Sequence, residues 1–255
     1  MDPTERFTEL VQRVERDVPL DEAALTIAAH DHEVDVQEQL ARLDDLASSA
    51  PPAPDALARY LFVERGFAGN SIDYADPRNS FLDAALDRRL GLPITLSVLM
   101  MEIGRRVGVT LDGIGMPGHF LVGAGNGTFF DTFHGGERLD EAGCRRRFSA
   151  MQGSAPFLRS YLEPVGSHAI LARMLANLVR SYVARDPSDA VWAVRLRLRV
   201  PGVSAAERSE AAGLLGTLGR FEEAAETLAA IAAELDGPAA SRLERDAAAY
   251  RARAN

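Results

Sequence analysis

The segment PGHFLVGAGNGTFFDTF, residues 117–133, decides the fold. Two short apolar runs, HFLV and TFFDTF, flank GAGNG, and apolar runs around a glycine- and asparagine-rich loop are the signature of a β-hairpin. With the loop centred on Gly125, Val122 faces Thr128, and counting outward sets His119 directly opposite Asp131. Side chains opposed on one face have Cβ atoms about 4.5–5.5 Å apart, so this imidazole and carboxylate are expected to hydrogen bond. Taken singly, a strand histidine is usually packed or solvated, and an aspartate at a strand end makes turn hydrogen bonds. Opposed in one hairpin, the two point to a shared polar site, an arrangement that serves catalytic centres and structural networks alike.

Upstream of the hairpin the pattern is helical. After Pro93, the positions Leu96, Leu99, Met100, Ile103 and Val107 recur at helical spacing, the stripe of a helix packed on a core. A helix is also expected from Asn79 to Arg89, stopping at Leu90-Gly91. Asn79 and Ser80 precede it, where they would cap it first and line a pocket second. The loop FAGNSIDYADPRNS, residues 67–80, is long enough to border a site. Earlier still, the spacing predicts helices from Leu20, with Asp21 as its cap, from Val36 to Leu46, and from Asp55 to Gly66 after the proline-rich SSAPPAPDA. Gly115 and Gly118, just before the hairpin, either admit backbone to a pocket or mark a bulge.

Beyond residue 165 the chain is again helical. LLGTLGRFEEAAETLAAI, residues 214–231, is much like one tetratricopeptide unit. The expectation is an α+β protein: an N-terminal helical region (1–66), a core with a small antiparallel sheet (67–160), and a C-terminal helical region (161–255).

Composition narrows the function. With 37 acidic against 28 basic residues the formal charge is −9, which argues against nucleic acid as a partner. Every basic residue is arginine, which excludes a catalytic lysine. Arg88, Arg89, Arg105, Arg106 and Arg145 to Arg147 are expected on solvated helix faces and in salt bridges. The single cysteine, Cys144, cannot form an intramolecular disulfide, and the polar start MDPTERFTEL is unlike a signal peptide, so a cytoplasmic location is expected. No apolar run approaches the ~20 residues that cross a bilayer, so no membrane association is expected.

A papain-type acyl-transfer site needs a thiolate at a helix N-terminus, a histidine to exchange its proton, and an acidic or amide group to orient the histidine. His119 would be the base and Asp131 its orienter. Cys144 lies after the hairpin, in GCRRRF, rather than at the start of a helix before it.

The runs DYADPRNSFLDAALDRRLGLPITLSVLMMEIGRRVGV (73–109), GIGMPGHFLV (113–122) and FFDTFHGG (129–136) resemble the transglutaminase-like SirB family, and the similarity extends over nearly the whole chain. The resemblance implies a cysteine-protease-like α+β fold joined to tetratricopeptide-like C-terminal helices. In active cousins it implies a Cys-His-Asp triad, with the base at His119, the orienter at Asp131 and the nucleophile position on Pro93. Proline cannot act as a nucleophile, and the nearby hydroxyls of Thr95 and Ser97 are offset along the helix.

Three functions compete. The first is a non-catalytic module binding a peptide or protein partner in the former cleft, with Asn79, Ser80, Gly118 and His134 around it and no cofactor. The second is a metal-dependent enzyme using His119, Asp131 and His134, which strand alternation sets against unless a turn brings Asp131 and His134 to one side. The third is a hydrolase or amidase with Thr95 or Ser97 as nucleophile.

Overall fold

The computed structural model describes residues 2–254. Helix α1 (Pro3–Val11) is capped by Asp2, whose carboxylate accepts the amides of Thr4 and Glu5. Helices α2 (Leu20–Ala28) and α3 (Val36–Ser48) follow. Asp21 does not cap α2: the cap position is Pro19, and Asp21 turns inward to accept from Arg105 (3.1 Å) and Arg106 (2.7 Å). An ion pair with two guanidiniums outweighs a cap that solvent could replace. The same arginines hold the buried Glu102, whose carboxyl is pushed up to about 7 by burial and then by the charge of Asp21. This network ties the N-terminal helices to the centre of the molecule.

Helix α4 (Pro54–Arg59) opens on a proline, whose missing N–H has no helical partner to lose at that position. The expected single helix to Gly66 is interrupted, because the chain widens into a π turn over Tyr60–Glu64 before Gly66 (φ 75°) ends it. Strand β1 (Ala68–Gly69) pairs in parallel with β2 (Leu90–Gly91), and between them lie a 3₁₀ turn, Pro77–Ser80, and helix α5 (Leu82–Arg88). The helix expected from Asn79 is therefore divided at Phe81, whose backbone is extended.

Helix α6 (Pro93–Arg106) is the central element: every residue from Gly91 to Met100 is buried. The rest of the core is strands β3 (Asp112–Ile114), β4 (Leu121–Gly123), β5 (Phe129–Asp131) and β6 (Glu137–Leu139), helix α7 (Glu141–Gln152) and strand β7 (Pro164–Val165). The sheet has the order β6-β5-β4-β3-β7 with every pairing antiparallel. Alternation assigns its two faces: Phe120, Val122 and Phe130 join the main core with α6, while Ile114, Leu121, Phe129 and Leu139 pack on Cys144 and Phe148 of α7.

The hairpin loop is centred on Asn126, not Gly125. Ala124 N–H donates to Thr128 O (3.0 Å), and the ladder sets Gly123 against Phe129 and Val122 against Phe130. The expected pairing of Val122 with Thr128 is thus displaced by two residues. Gly125, Asn126 and Gly127 all adopt positive φ (73°, 47° and 78°), so the turn falls at Asn126-Gly127 and Gly125 becomes an extra left-handed residue before it. A shift of two leaves each residue on its own face of the sheet. His119 therefore reaches Asp131 from just before β4 instead of from directly across.

One glycine is required by close approach. A Cβ on Gly69 would stand 2.4 Å from the Phe133 ring, which packs against His119 with ring centroids 6.4 Å apart. Gly69→Ala is expected to lower stability by about 1–3 kcal/mol, read from urea unfolding, as overpacking displaces Phe133. An unchanged midpoint would show that the ring moves freely.

Helices α8 (Ser167–Val183), α9 (Val191–Arg197), α10 (Ala205–Thr217), α11 (Phe221–Ala232) and α12 (Gly237–Ala254) complete the chain. The main apolar core runs from Phe7 in α1 to Val200, whereas α10 to α12 build small clusters around Leu215 and Leu228, the first of them shared with Val191 and Val194 of α9. Among the described residues no helix is long and apolar enough to cross a membrane.

Candidate active site

Asp131 ends β5, and its side chain is fully buried. Four donors converge on it. Oδ1 accepts from His119 Nε2 at 2.9 Å and from the His134 backbone N–H at 3.2 Å; Oδ2 lies 2.9 Å from His134 Nδ1 and 2.8 Å from Arg147 Nε. Burial pushes the carboxyl up, but the His119 hydrogen bond and the charges of His119, His134 and Arg147 prevail and hold it below the usual carboxylate range. The turn that brings His134 back is the 3₁₀ segment Thr132–His134, capped by Asp131 itself. It overrides the alternation that would have put Asp131 and His134 on opposite faces.

His119 is 4% exposed. Since Nε2 is engaged by Asp131, the tautomer and ring orientation are set, and Nδ1 is the nitrogen left for a reacting group. His119 and Gly118 line a cavity of about 770 Å³ together with Leu92, Pro93 and Ile94 at the start of α6. Gly118, at φ 78°, makes the turn into His119, and a Cβ there would strike Gln152 Nε2 at 2.4 Å. His119, held by Asp131, and Pro93, the first residue of α6, thus border one cavity.

The hydroxyls do not complete the site. Ser97 Oγ lies 3.0 Å from Thr132 Oγ1, which donates to the Pro93 carbonyl at 3.1 Å, so Ser97 helps fasten the 3₁₀ turn after β5 to the first turn of α6. Thr95 Oγ1 is buried without a hydrogen-bond partner. Neither hydroxyl bonds His119: Ser97 is engaged with Thr132, and Thr95 has no hydrogen-bond partner. Cys144 is also out of reach of chemistry: it is buried on α7, and burial followed by the charges of Asp140 and Asp131 pushes its thiol up to about 12.

Asn79 and Ser80 neither cap a helix nor line the cavity. Asn79 is fully buried, donating to Asp73 O (2.7 Å) and accepting from Asn70 Nδ2 (3.0 Å), so it clasps the loop from 70 to 79. Ser80 Oγ is buried and unpartnered. The cap of α5 is Phe81, with no side-chain hydrogen bond.

His119, Asp131 and His134 offer ligand atoms within 4.8 Å of one another, close enough for a metal ion. The donor set does not suit one. Both carboxylate oxygens already accept two donors, and the Arg147 guanidinium brings a positive charge to the same oxygen a cation would need. The cluster is a hydrogen-bond hub.

Two arginines of the site escaped the sequence reading. Arg147, expected on a solvated face and in salt bridges, does form salt bridges, but turns inward to make them with the buried Asp131 (2.8 Å) and with Glu137 (2.7 Å). Arg173 on α8 donates from Nη2 to the carbonyls of Met116 (3.0 Å) and His119 (2.7 Å), anchoring the turn that carries the base.

A family profile described as the transglutaminase-like superfamily matches residues 5–176, which takes in the N-terminal helices as well as the sheet. A UPF0162 protein of Xylella fastidiosa strain Temecula1 is 43% identical over 141 residues, 52% of this chain and 50% of that one, so the match spans half that relative's length. A UPF0162 protein of Pseudomonas aeruginosa is 31% identical over 207 residues, 76% of each chain. Human F-box only protein 21 is 30% identical over 136 residues, 49% of this chain and 21% of that one. No solved structure matches the chain significantly. With the profile covering well over half its length and the Pseudomonas relative aligned along three quarters of it, this chain belongs to the transglutaminase-like superfamily.

Proposed function

We propose that this chain is a SirB-type, non-catalytic transglutaminase-like protein that holds a peptide or protein partner in the cleft between its core and its C-terminal helices, the latter forming a tetratricopeptide-like surface. The observation that carries this reading is Pro93 at the start of α6, in the cavity wall that His119 also lines. Acyl transfer requires a group that attacks a carbonyl and accepts the acyl chain, and proline offers none. The cavity itself persists, partly apolar and of a size that suits several residues of a peptide. The loop over it presents Tyr74, half exposed, and Ile72, 99% exposed, and such exposed apolar side chains support contact with a partner.

The test is binding without turnover. Purified full-length protein is expected to retain peptides on a random peptide array. With a glutamine-containing peptide and a fluorescent primary amine it is expected to release no ammonia and form no amide above the buffer rate. Amine incorporation by the wild-type protein would overturn the reading.

A further inference from the structure

The cavity has an electrostatic character that its transglutaminase-like ancestry does not explain. In a chain of formal charge −9, three arginines line it, Arg173, Arg180 and Arg197, against one carboxylate, Glu210. Arg197 is ion-paired with Glu207, yet its Nε is buried without a partner. Arg173 and Arg180 make no ion pair with any carboxylate among the described residues. This contrasts with the C-terminal helices nearby, where Arg195 and Arg208 each clasp a glutamate.

Arg173 is the telling case. Its guanidinium lies 5.4 Å from the centre of the Phe120 ring, and Nη2 uses both of its hydrogens on the Met116 and His119 carbonyls. The donors of Nη1 and Nε are not used on those carbonyls, and the residue lines the cavity. Burial and the charge of Arg180 both disfavour its cationic form. Arg180 stands two turns further along the same face of α8 and is steadied by the Asn177 side-chain oxygen. A guanidinium stays charged at any physiological pH, so two of them lining one cavity make it positive and favour an anion there. Their planar forks fit the two oxygens of a carboxylate.

We propose that a carboxylate of the bound peptide seats between Arg173 and Arg180, with the peptide chain running past Gly118 and His119 beneath Tyr74. This rests on the peptide-binding reading above and names the chemistry that the same cleft selects. The carboxylate comes from an Asp or Glu side chain or from a peptide C-terminus.

The experiment is selection of binders by the full-length protein from a random heptapeptide library, followed by measurement of the selected peptides by fluorescence polarisation. Each is compared with a form in which the acidic side chain is an amide and with a form amidated at the C-terminus. The expected result is that one of these two neutralisations weakens binding at least about tenfold, which identifies the source of the carboxylate. Arg180→Gln is expected to weaken binding similarly, while Arg242→Gln on α12 leaves it unchanged. Because Arg180 is solvent-exposed and supports no backbone carbonyl, its variant keeps the fold even if Arg173→Gln does not. Selected peptides that bind Arg180→Gln and the neutralised forms as well as the originals would overturn the carboxylate site and leave peptide binding standing. Failure to select any peptide would overturn both.

Discussion

Asp131→Ala is expected to lower stability by about 3–5 kcal/mol and the melting temperature by on the order of 10 °C, the largest effect of any single substitution at the site. The carboxylate has no exposed surface and is the shared acceptor for His119, His134 and Arg147. Its removal leaves the ring nitrogen of His119 without its partner in a buried setting and Arg147 with Glu137 alone. Thermal melting followed by circular dichroism measures the effect. A loss below about 1 kcal/mol would show that the cluster is not a structural hub. The pH dependence follows from the same geometry. Because the folded-state value of Asp131 is depressed below 3.8, its contribution is present above the unfolded value and is lost as pH falls through the folded one. Wild type is thus expected to lose stability below about pH 4, and Asp131→Asn, whose side chain does not titrate, to show a flatter acid limb.

Pro93→Cys is expected to create a reactive thiol. A cysteine at the first position of α6 sits where unpaired backbone N–H groups and the helix dipole favour a thiolate, in the cavity that His119 lines. Its thiol should titrate well below the ordinary value of about 8.5 and react with iodoacetamide at pH 7 roughly tenfold faster than free cysteine. The background is low, because Cys144 is fully buried and its thiol is pushed up to about 12. Pro93 is well suited to replacement: the hydrogen bond it makes is through its carbonyl, to Thr132, and any residue supplies that. His119→Ala in the same background should slow the labelling. A Pro93→Cys thiol that behaves like free cysteine would mean that the start of α6 is not the site of a lost nucleophile.

Much of this architecture is legible in the linear chain. The stripe from Leu96 to Val107 reads as the central helix because packing on a core imposes a period near 3.6 residues, and the runs flanking GAGNG read as a hairpin because glycine and asparagine alone tolerate its turn. The meeting of His119 with Asp131 was legible even though the register was not. The loop uses three left-handed residues, which displaces the pairing by two, and two is the period of a strand. Asn79 shows the opposite case. Its position before a helical run suggests a cap, but whether an amide caps or clasps depends on which carbonyls the returning loop places beside it.

The sequence by itself determined the α+β class, the central helix and the hairpin, since these depend on local backbone preference and periodicity. Only the tertiary structure decided which charges lie inside. Arg147 and Arg173 are written in the chain like any solvated arginine, yet one grips Asp131 and the other the carbonyl of His119. Burial and partnership are properties of elements distant in sequence, brought together when α7 and α8 pack against the sheet and the turn before β4, and no local pattern encodes them.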